Sequence, residues 1–579
     1  MKRIALGLLL VLATISWGYC QSKQPESSLE SNEVENGKLY ENGSGIEIVK
    51  TDKTTISNLK ILGMVWGFLK YYHPNIAKGE YNWDYELFNI LPQILNVQNS
   101  NERDILLIRW ISKYGSFKDS KNNMEQFRDS KARPDTEWIS SSNLSSQLTE
   151  LLVKIKNAKR DSQNYYLDLE VGKGIAMLKN ENPYATMKFP DAGFRILSLY
   201  RYWNIIQYYF PYKNLIEEDW KNVLDEFLPK FINVKSELEY NLISLELIAR
   251  IKDTHANIWG NNAVLGNYFG GRSASAELIF VDNNAVVKDF YDENTGKETG
   301  LQKGDIITKI GDIKVDEIVA AKLKLTPASN PSVQLREIAS KLLRTNDTLI
   351  KIDYLRDGIV GTNTIKTYPL GKVNFYKKYK QDTCFKMINS EIGYLYLGTI
   401  KLKYLPSIFE TIKNTKGLII DLRCYPSEFY VFSLGQFLMP KETEFAKITE
   451  GSAEWPGLFT YKSHSTVGNR NREYYKGKVV ILINELTQSQ AEYTTMAFRV
   501  SPNATVLGST TSGADGTAKD FYLPGGIQTR ISGQGVYYPN GGETQRIGIV
   551  PDIEIRPTIQ GIKNGMDEVL NKAIEIISN

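Results

Sequence analysis

KVVILINELTQSQAEYTTMAFRV, residues 478–500, reads as a buried strand running directly into a helix. Val479-Val480-Ile481-Leu482-Ile483 is a continuous apolar run, the pattern of a parallel strand covered on both faces. The run stops at Asn484, and Glu485-Leu486-Thr487-Gln488 leads to Ser489-Gln490-Ala491-Glu492, where a helix opens. A serine at such a junction is exposed and lies beside N–H groups that have no intrahelical acceptor. Most serines so placed are caps. The same place suits a nucleophile, because the Gln490 amide next to Ser489 can face the oxyanion that forms after attack.

Outward from this stretch, GYLYLGTI (393–400), GLIIDLRC (417–424) and TVLGST (505–510) are further strand-like runs, with helical patterns at 406–415, 428–438, 490–500 and 564–577. Strand and helix in alternation predict an α/β layer with a largely parallel sheet over 373–579, its active site at strand ends. Residues 272–372 change to short alternating segments, AELIFV, AVVKDFY, DIITKI, LIKIDYL and TIKTYPL, which read as the strands of a small β-rich domain. Within it stand Gly300-Leu301-Gln302-Lys303-Gly304-Asp305-Ile306-Ile307, then Ile310-Gly311-Asp312 and Val315.

An internal repeat precedes that domain. Trp66, Tyr71, Tyr72, Pro74, Trp83, Leu87, Leu91 and Pro92 recur as Trp203, Tyr208, Tyr209, Pro211, Trp220, Leu224, Leu228 and Pro229, every pair 137 residues apart (66 to 203). Each copy, 51–165 and 166–271, reads as a helical hairpin whose aromatic stripe packs a core. The second copy runs on into Asp253-Thr254-His255-Ala256-Asn257, where the first has Ser116-Phe117-Lys118, so only the second carries a base. His73, with Phe210 as its counterpart, reads as structural, and His464 as an exposed residue of a polar loop, with substrate contact as the alternative.

A chain of 579 residues divides into about three to four domains. With 70 basic and 66 acidic residues, a net charge of +4, there is no basic bias toward nucleic acid. Lys2 and Arg3 precede the apolar run Ile4–Trp17, which predicts a signal peptide over 1–20 and an exported protein, periplasmic or extracellular. Membrane attachment through a lipid on Cys20 is the alternative, against which stands bulky Tyr19. Residues 21–50 read as a flexible linker. Cys384 and Cys424 are too few for a disulfide framework and leave one bridge open. With three histidines in all, no zinc-spaced cluster exists, and neither metal nor cofactor is expected.

The stretch from Lys478 to Gly516 resembles the nucleophile region of tail-specific, or C-terminal processing, serine proteases. A strand ends in Asn484, Ser489 stands three places before Glu492, and Val506-Leu507-Gly508 and Thr511-Ser512-Gly513 follow. Gly417-Leu418-Ile419-Ile420-Asp421-Leu422-Arg423 continues the likeness upstream, and the motif from Gly300 to Val315 resembles the PDZ signature. The likeness covers roughly 250–560. It implies a multidomain α/β architecture of duplicated helical region, PDZ-like domain over 272–372 and ClpP/crotonase-like protease core. It also implies a polypeptide substrate, hydrolysed in unfolded or C-terminal segments through an acyl-enzyme on Ser489, with the PDZ-like module adding the peptide as an extra strand.

Members that use a Ser/Lys pair carry lysine after the glycine matching Gly513, and this chain has Ala514, so its serine needs another base. Thr254-His255-Ala256 is similar to the Ser-His-Ala motif of the tricorn core protease branch, and Glu543 precedes a closing Gly548-x-x-Pro551-Asp552-Ile553 strand. The resemblance implies His255 as general base and acid, with Thr254 and Glu543 as its supporting relay. It implies the amides of Gln490 and Ser427 as oxyanion donors. Ser427-Glu428 replaces a Gly-Gly pair there, which serves only where no positive φ is needed. Cys424 lacks a neighbouring histidine and does not read as a thiol nucleophile. A protease-fold protein that binds peptides or hydrophobic ligands without turnover is the rival reading.

Overall fold

Two helical hairpins, each closed by a reciprocal pair of tryptophan bonds, begin the fold in the computed structural model, which describes residues 39–120, 127–160, 163–375, 384–462 and 464–579. In the first, α1 (Lys53–Tyr72) and α2 (Trp83–Asn96), the Trp66 indole donates to the Trp83 carbonyl and the Trp83 indole to the Trp66 carbonyl, both at 2.9 Å. In the second, α3 (Ala192–Tyr209) and α4 (Trp220–Asn233), Trp203 and Trp220 make the same exchange at 2.7 and 3.0 Å. Each indole thus satisfies a carbonyl inside an aromatic core, where an unpaired polar group is costly. Residues 43–579 form one compact unit, and 39–42 form a turn. The expected signal peptide, Cys20 and most of the expected linker lie outside the described residues.

α1 and α3 cross where glycines remove the side chain. A Cβ on Gly67 would fall 1.8 Å from the Asn204 side chain, which donates to the Gly63 carbonyl at 3.0 Å. Below this crossing lies a buried ion network. Arg201 of α3 pairs with Asp84 of α2 and with Glu181, both at 2.7 Å, and Glu181 pairs with Lys70 of α1 at 2.7 Å. Arg201 also donates to the carbonyls of Asn182 and Tyr522, which ties the helices to a hairpin of the C-terminal core. A helix α5 (Glu237–Ala249) follows and leads to Asp253.

The β-rich region holds β1 (Ala276–Val281), β2 (Asn284–Phe290), β3 (Ile306–Ile310), β4 (Leu349–Arg356) and β5 (Ile359–Lys366) in the antiparallel order β5-β4-β3-β2-β1, with Ile313–Lys314 pairing β3. Two helices that the alternating pattern did not predict, α6 (Val315–Leu323) and α7 (Pro331–Ala339), interrupt the strands. β1 is an edge strand.

The C-terminal core contains β6 (Phe385–Asn389), β7 (Ile392–Tyr396), α8 (Leu405–Ile412), β8 (Gly417–Asp421), α9 (Val431–Leu438), β9 (Lys478–Ile483), α10 (Gln490–Arg499) and β10 (Ala504–Gly508). A hairpin β11 (Ala518–Leu523) and β12 (Ile527–Ser532), then β13 (Ile553–Glu554) and α11 (Glu568–Ser578), complete it. Strands β6-β7-β8-β9-β10-β13 form one sheet, parallel except for β6. All of β8 and Val479–Ile483 of β9 are buried, as their unbroken apolar runs predict. Mixed α/β structure with several sheets is therefore the architecture. Cys384 and Cys424 are both free thiols.

Replacing Arg201 by Met leaves Asp84 and Glu181 buried with too little compensating charge. Unfolding in urea is expected to show a loss of about 3–5 kcal/mol.

Candidate active site

Ser489 stands where β9 gives way to α10, at the helix N-cap, with φ 56° and ψ −118°. That conformation is strained for a residue with a Cβ, and it is the elbow geometry that lifts a side chain off the end of a sheet. Glu492 holds the elbow. Its buried carboxylate accepts N–H groups from Ser489 (3.0 Å), Gly513 (2.8 Å) and Ala514 (3.1 Å) and the Thr511 hydroxyl (2.5 Å). The Ser489 amide also donates to the Ala514 carbonyl at 3.0 Å, so the backbone at Ala514 serves as a clamp on the turn. Burial pushes the Glu492 carboxyl up, and the bonds it accepts pull it down.

Ser489 and His255 line the same cleft, of about 810 Å³, together with Gln490, Trp259, Asp515 and Arg530. His255 Nδ1 lies 2.8 Å from Ser532 Oγ at the end of β12. Ser532 Oγ donates to Asp253 Oδ1 at 3.0 Å, while Asp253 Oδ2 accepts the Ser532 amide at 2.7 Å. A hydroxyl has one proton to give. With that proton committed to Asp253, Ser532 accepts from Nδ1–H, and Nε2 is left as the basic nitrogen. Asp253 is fully buried and accepts also from the His255 amide (3.1 Å) and from Gln545 (3.2 Å). Burial lowers the imidazole pKa first of all. Asp253 opposes that shift and Arg530 adds to it.

The expected supporting relay is therefore placed elsewhere. Thr254 exchanges bonds with Ser329, donating its hydroxyl at 3.0 Å and accepting the Ser329 amide at 2.9 Å, so it faces the loop before α7 while its two neighbours face β12. Glu543 is captured by the nearby charge of Lys131, whose ammonium also sits 4.4 Å from the Tyr537 ring. The hydroxyl and carboxylate beside the imidazole are Ser532 and Asp253, which sequence reasoning missed. Asp253 carried one signal, its place two residues before the histidine.

Ser427 also departs from expectation. Its amide donates to the Leu397 carbonyl at 3.0 Å, and its hydroxyl to the Ile400 carbonyl at 2.5 Å, so both donors face the sheet's own loop. Gln490 opens α10 within the cleft, and its side chain donates to the Glu428 carbonyl at 2.7 Å. His464 lines the cleft and pairs with Glu444 at 2.5 Å. His73 is buried against Tyr114 and Phe117, and burial lowers its pKa to about 4. Burial raises the Cys424 thiol far above the range in which it ionises.

The model of one family, described as peptidase family S41, matches residues 391–555, from the start of β7 to just past β13. Residues 391–555 belong to peptidase family S41. The match supports a serine-type peptidase. This S41 domain carries Ser489, Glu492 and Ser532, whereas Asp253 and His255 lie upstream of it. Among solved structures, mature CPAF complexed with lactacystin aligns over 67% of this chain and 98% of its own, at 14% identity and a TM-score of 0.54. Mature CPAF aligns over the same shares at 14% identity and 0.52. At that identity the likeness concerns the fold. The tricorn protease aligns over 74% of this chain and 43% of its own at 15% identity and a TM-score of 0.36, too low to bear on the S41 site. A search of curated proteins found no match.

The elbow strain has a direct test in two variants that both lack the hydroxyl. Ser489→Gly is expected to unfold with about 1 kcal/mol more stability than Ser489→Ala, because only glycine holds this φ without cost. Equal stability in urea would remove the strain.

Proposed function

We propose that this chain is an exported serine endopeptidase that hydrolyses peptide bonds of unfolded or C-terminal segments through an acyl-enzyme on Ser489. The observation that carries the proposal is the hydrogen-bonded series from Asp253 through Ser532 to His255, ending at the cleft that Ser489 also lines. His255 Nε2 takes the Ser489 proton as Oγ attacks the scissile carbonyl, and the oxyanion forms against the Gln490 amide. The imidazolium then gives that proton to the leaving amine. Water, deprotonated by the same nitrogen, splits the acyl-enzyme and restores Ser489. Asp253 acts through Ser532, fixing the tautomer and stabilising the charge that appears on the ring.

The β-rich region is read as PDZ-like, on two supports. Edge strand β1 leaves backbone groups unpaired on one side, and a cleft of about 650 Å³ there is lined by Leu278, Phe280 and, on α7, Leu335. An extended peptide would add to β1 as a further strand. Export rests on the signal-like N-terminus. One observation favours a second reading, a peptide-binding protein without turnover: the Ser427 amide is spent on Leu397, which leaves the oxyanion one donor short.

Fluorophosphonate labelling separates the two readings. Labelling of the wild type that disappears in Ser489→Ala is expected. Asp253→Asn should slow it on the order of 1,000-fold or more, whereas Glu543→Gln, which breaks a partly exposed ion pair, should keep it within about fivefold. A folded wild type that takes no label favours the binder.

The pH dependence follows from the lowered His255 pKa. The imidazole is the competent base when neutral, so the acid limb of labelling is expected below about pH 6.5. Arg530→Gln removes a positive charge that disfavours protonation, and should move that limb upward.

A further inference from the structure

We infer that Asp515 is a specificity-determining residue of the cleft, accepting a lysine or arginine side chain of the substrate beside the bond that is cleaved; the inference rests on the proposed protease reading. Asp515 follows Ala514, whose carbonyl accepts the Ser489 amide at 3.0 Å, and it lines the cleft beside the nucleophile. It is 3% exposed. Its Oδ1 accepts the Gly516 amide at 2.7 Å, while its Oδ2 has no hydrogen-bond partner although it is buried in that wall. A carboxyl oxygen left without a donor in such a place is costly unless something enters to meet it.

The charge arrangement says what enters. The basic groups of the cleft are already committed: Arg530 pairs with Asp520 at 2.7 Å and lies 4.2 Å from the Trp259 ring, Lys173 pairs with Glu170 at 2.5 Å, and Lys462 donates to the Gly172 carbonyl. None is spent on Asp515. The group acting on it electrostatically is another carboxyl, Glu492, and the phenols that feel it are Tyr212 and Tyr493. Burial and Glu492 hold the Asp515 carboxyl well above the usual carboxylate range. An arriving ammonium or guanidinium brings the opposite charge that favours the ionised carboxylate and pairs with it. Norleucine fills the space and leaves the oxygen unmet, and a Gln amide meets it without the charge.

Peptides identical except for Lys, Gln or norleucine at the residue flanking the cleaved bond test this. For the wild type, kcat/KM is expected to be about 10- to 100-fold higher with Lys than with norleucine or Gln. In Asp515→Asn that ratio should fall close to one. Binding of the same peptides to Ser489→Ala, followed by calorimetry, reads the subsite without turnover and should show the same order. Equal kcat/KM and equal binding for Lys and norleucine overturn the inference even where Ser489 takes the fluorophosphonate, and so does Gln performing as well as Lys. Lysine-selective binding with no labelling keeps the subsite and removes the protease reading.

Discussion

Three backbone N–H groups converge on the Glu492 carboxylate, in a place that water does not reach. Amides so buried need an acceptor, and supplying one carboxylate to all of them locks the Ser489 turn to the 511–514 segment. The same segment accepts the Arg546 amide on the Gly513 carbonyl, and its Thr511 hydroxyl accepts the Ile549 amide at 2.6 Å, which brings in the closing stretch of the domain. Strain at Ser489 persists because several neighbours over-determine it.

The opposite wall is organised by Asp253 in the same manner. It is fully buried and bound by Ser532, Gln545 and the His255 amide, so the imidazole sits on a base that cannot tilt without unpairing a charge. Behind it the tryptophan-closed hairpins and the Arg201 network set the distance between the helical region and the β11–β12 hairpin, since Arg201 reaches the Tyr522 carbonyl. Arg201 thus ties the helical hairpins to the β11–β12 hairpin whose end carries Ser532.

Much of this was legible from residues alone. The apolar run ending at Asn484 gave away both a doubly covered strand and the junction serine, because period and composition are local signals. Lys53–Tyr72 and Ala192–Tyr209 are helices where the aromatic spacing is helical, a local signal as well. Helix α7 had a signal that the strand reading passed over, Asn330 followed by Pro331, and the Asn330 side chain does cap the Val333 amide at 3.1 Å. The partners of His255 were not legible, since Ser532 lies 277 residues away on a hairpin whose alternation specifies a face and not a neighbour. The partner of Glu543 was not legible either, because the lysine that pairs with it is 412 residues distant. Nor was the bond made by the Ser427 amide, because a sequence names the residue that bears an amide, not the direction in which the amide points.

The imidazole comes from the first half of the chain and the hydroxyl that steadies it from the last tenth, joined only through the folded state. A ribosome releases the former long before the latter exists. A chain made only as far as Ser489 therefore already holds the histidine but lacks the hydroxyl that fixes its tautomer. The Asp253–Ser532–His255 series assembles only once the last tenth of the chain has been made.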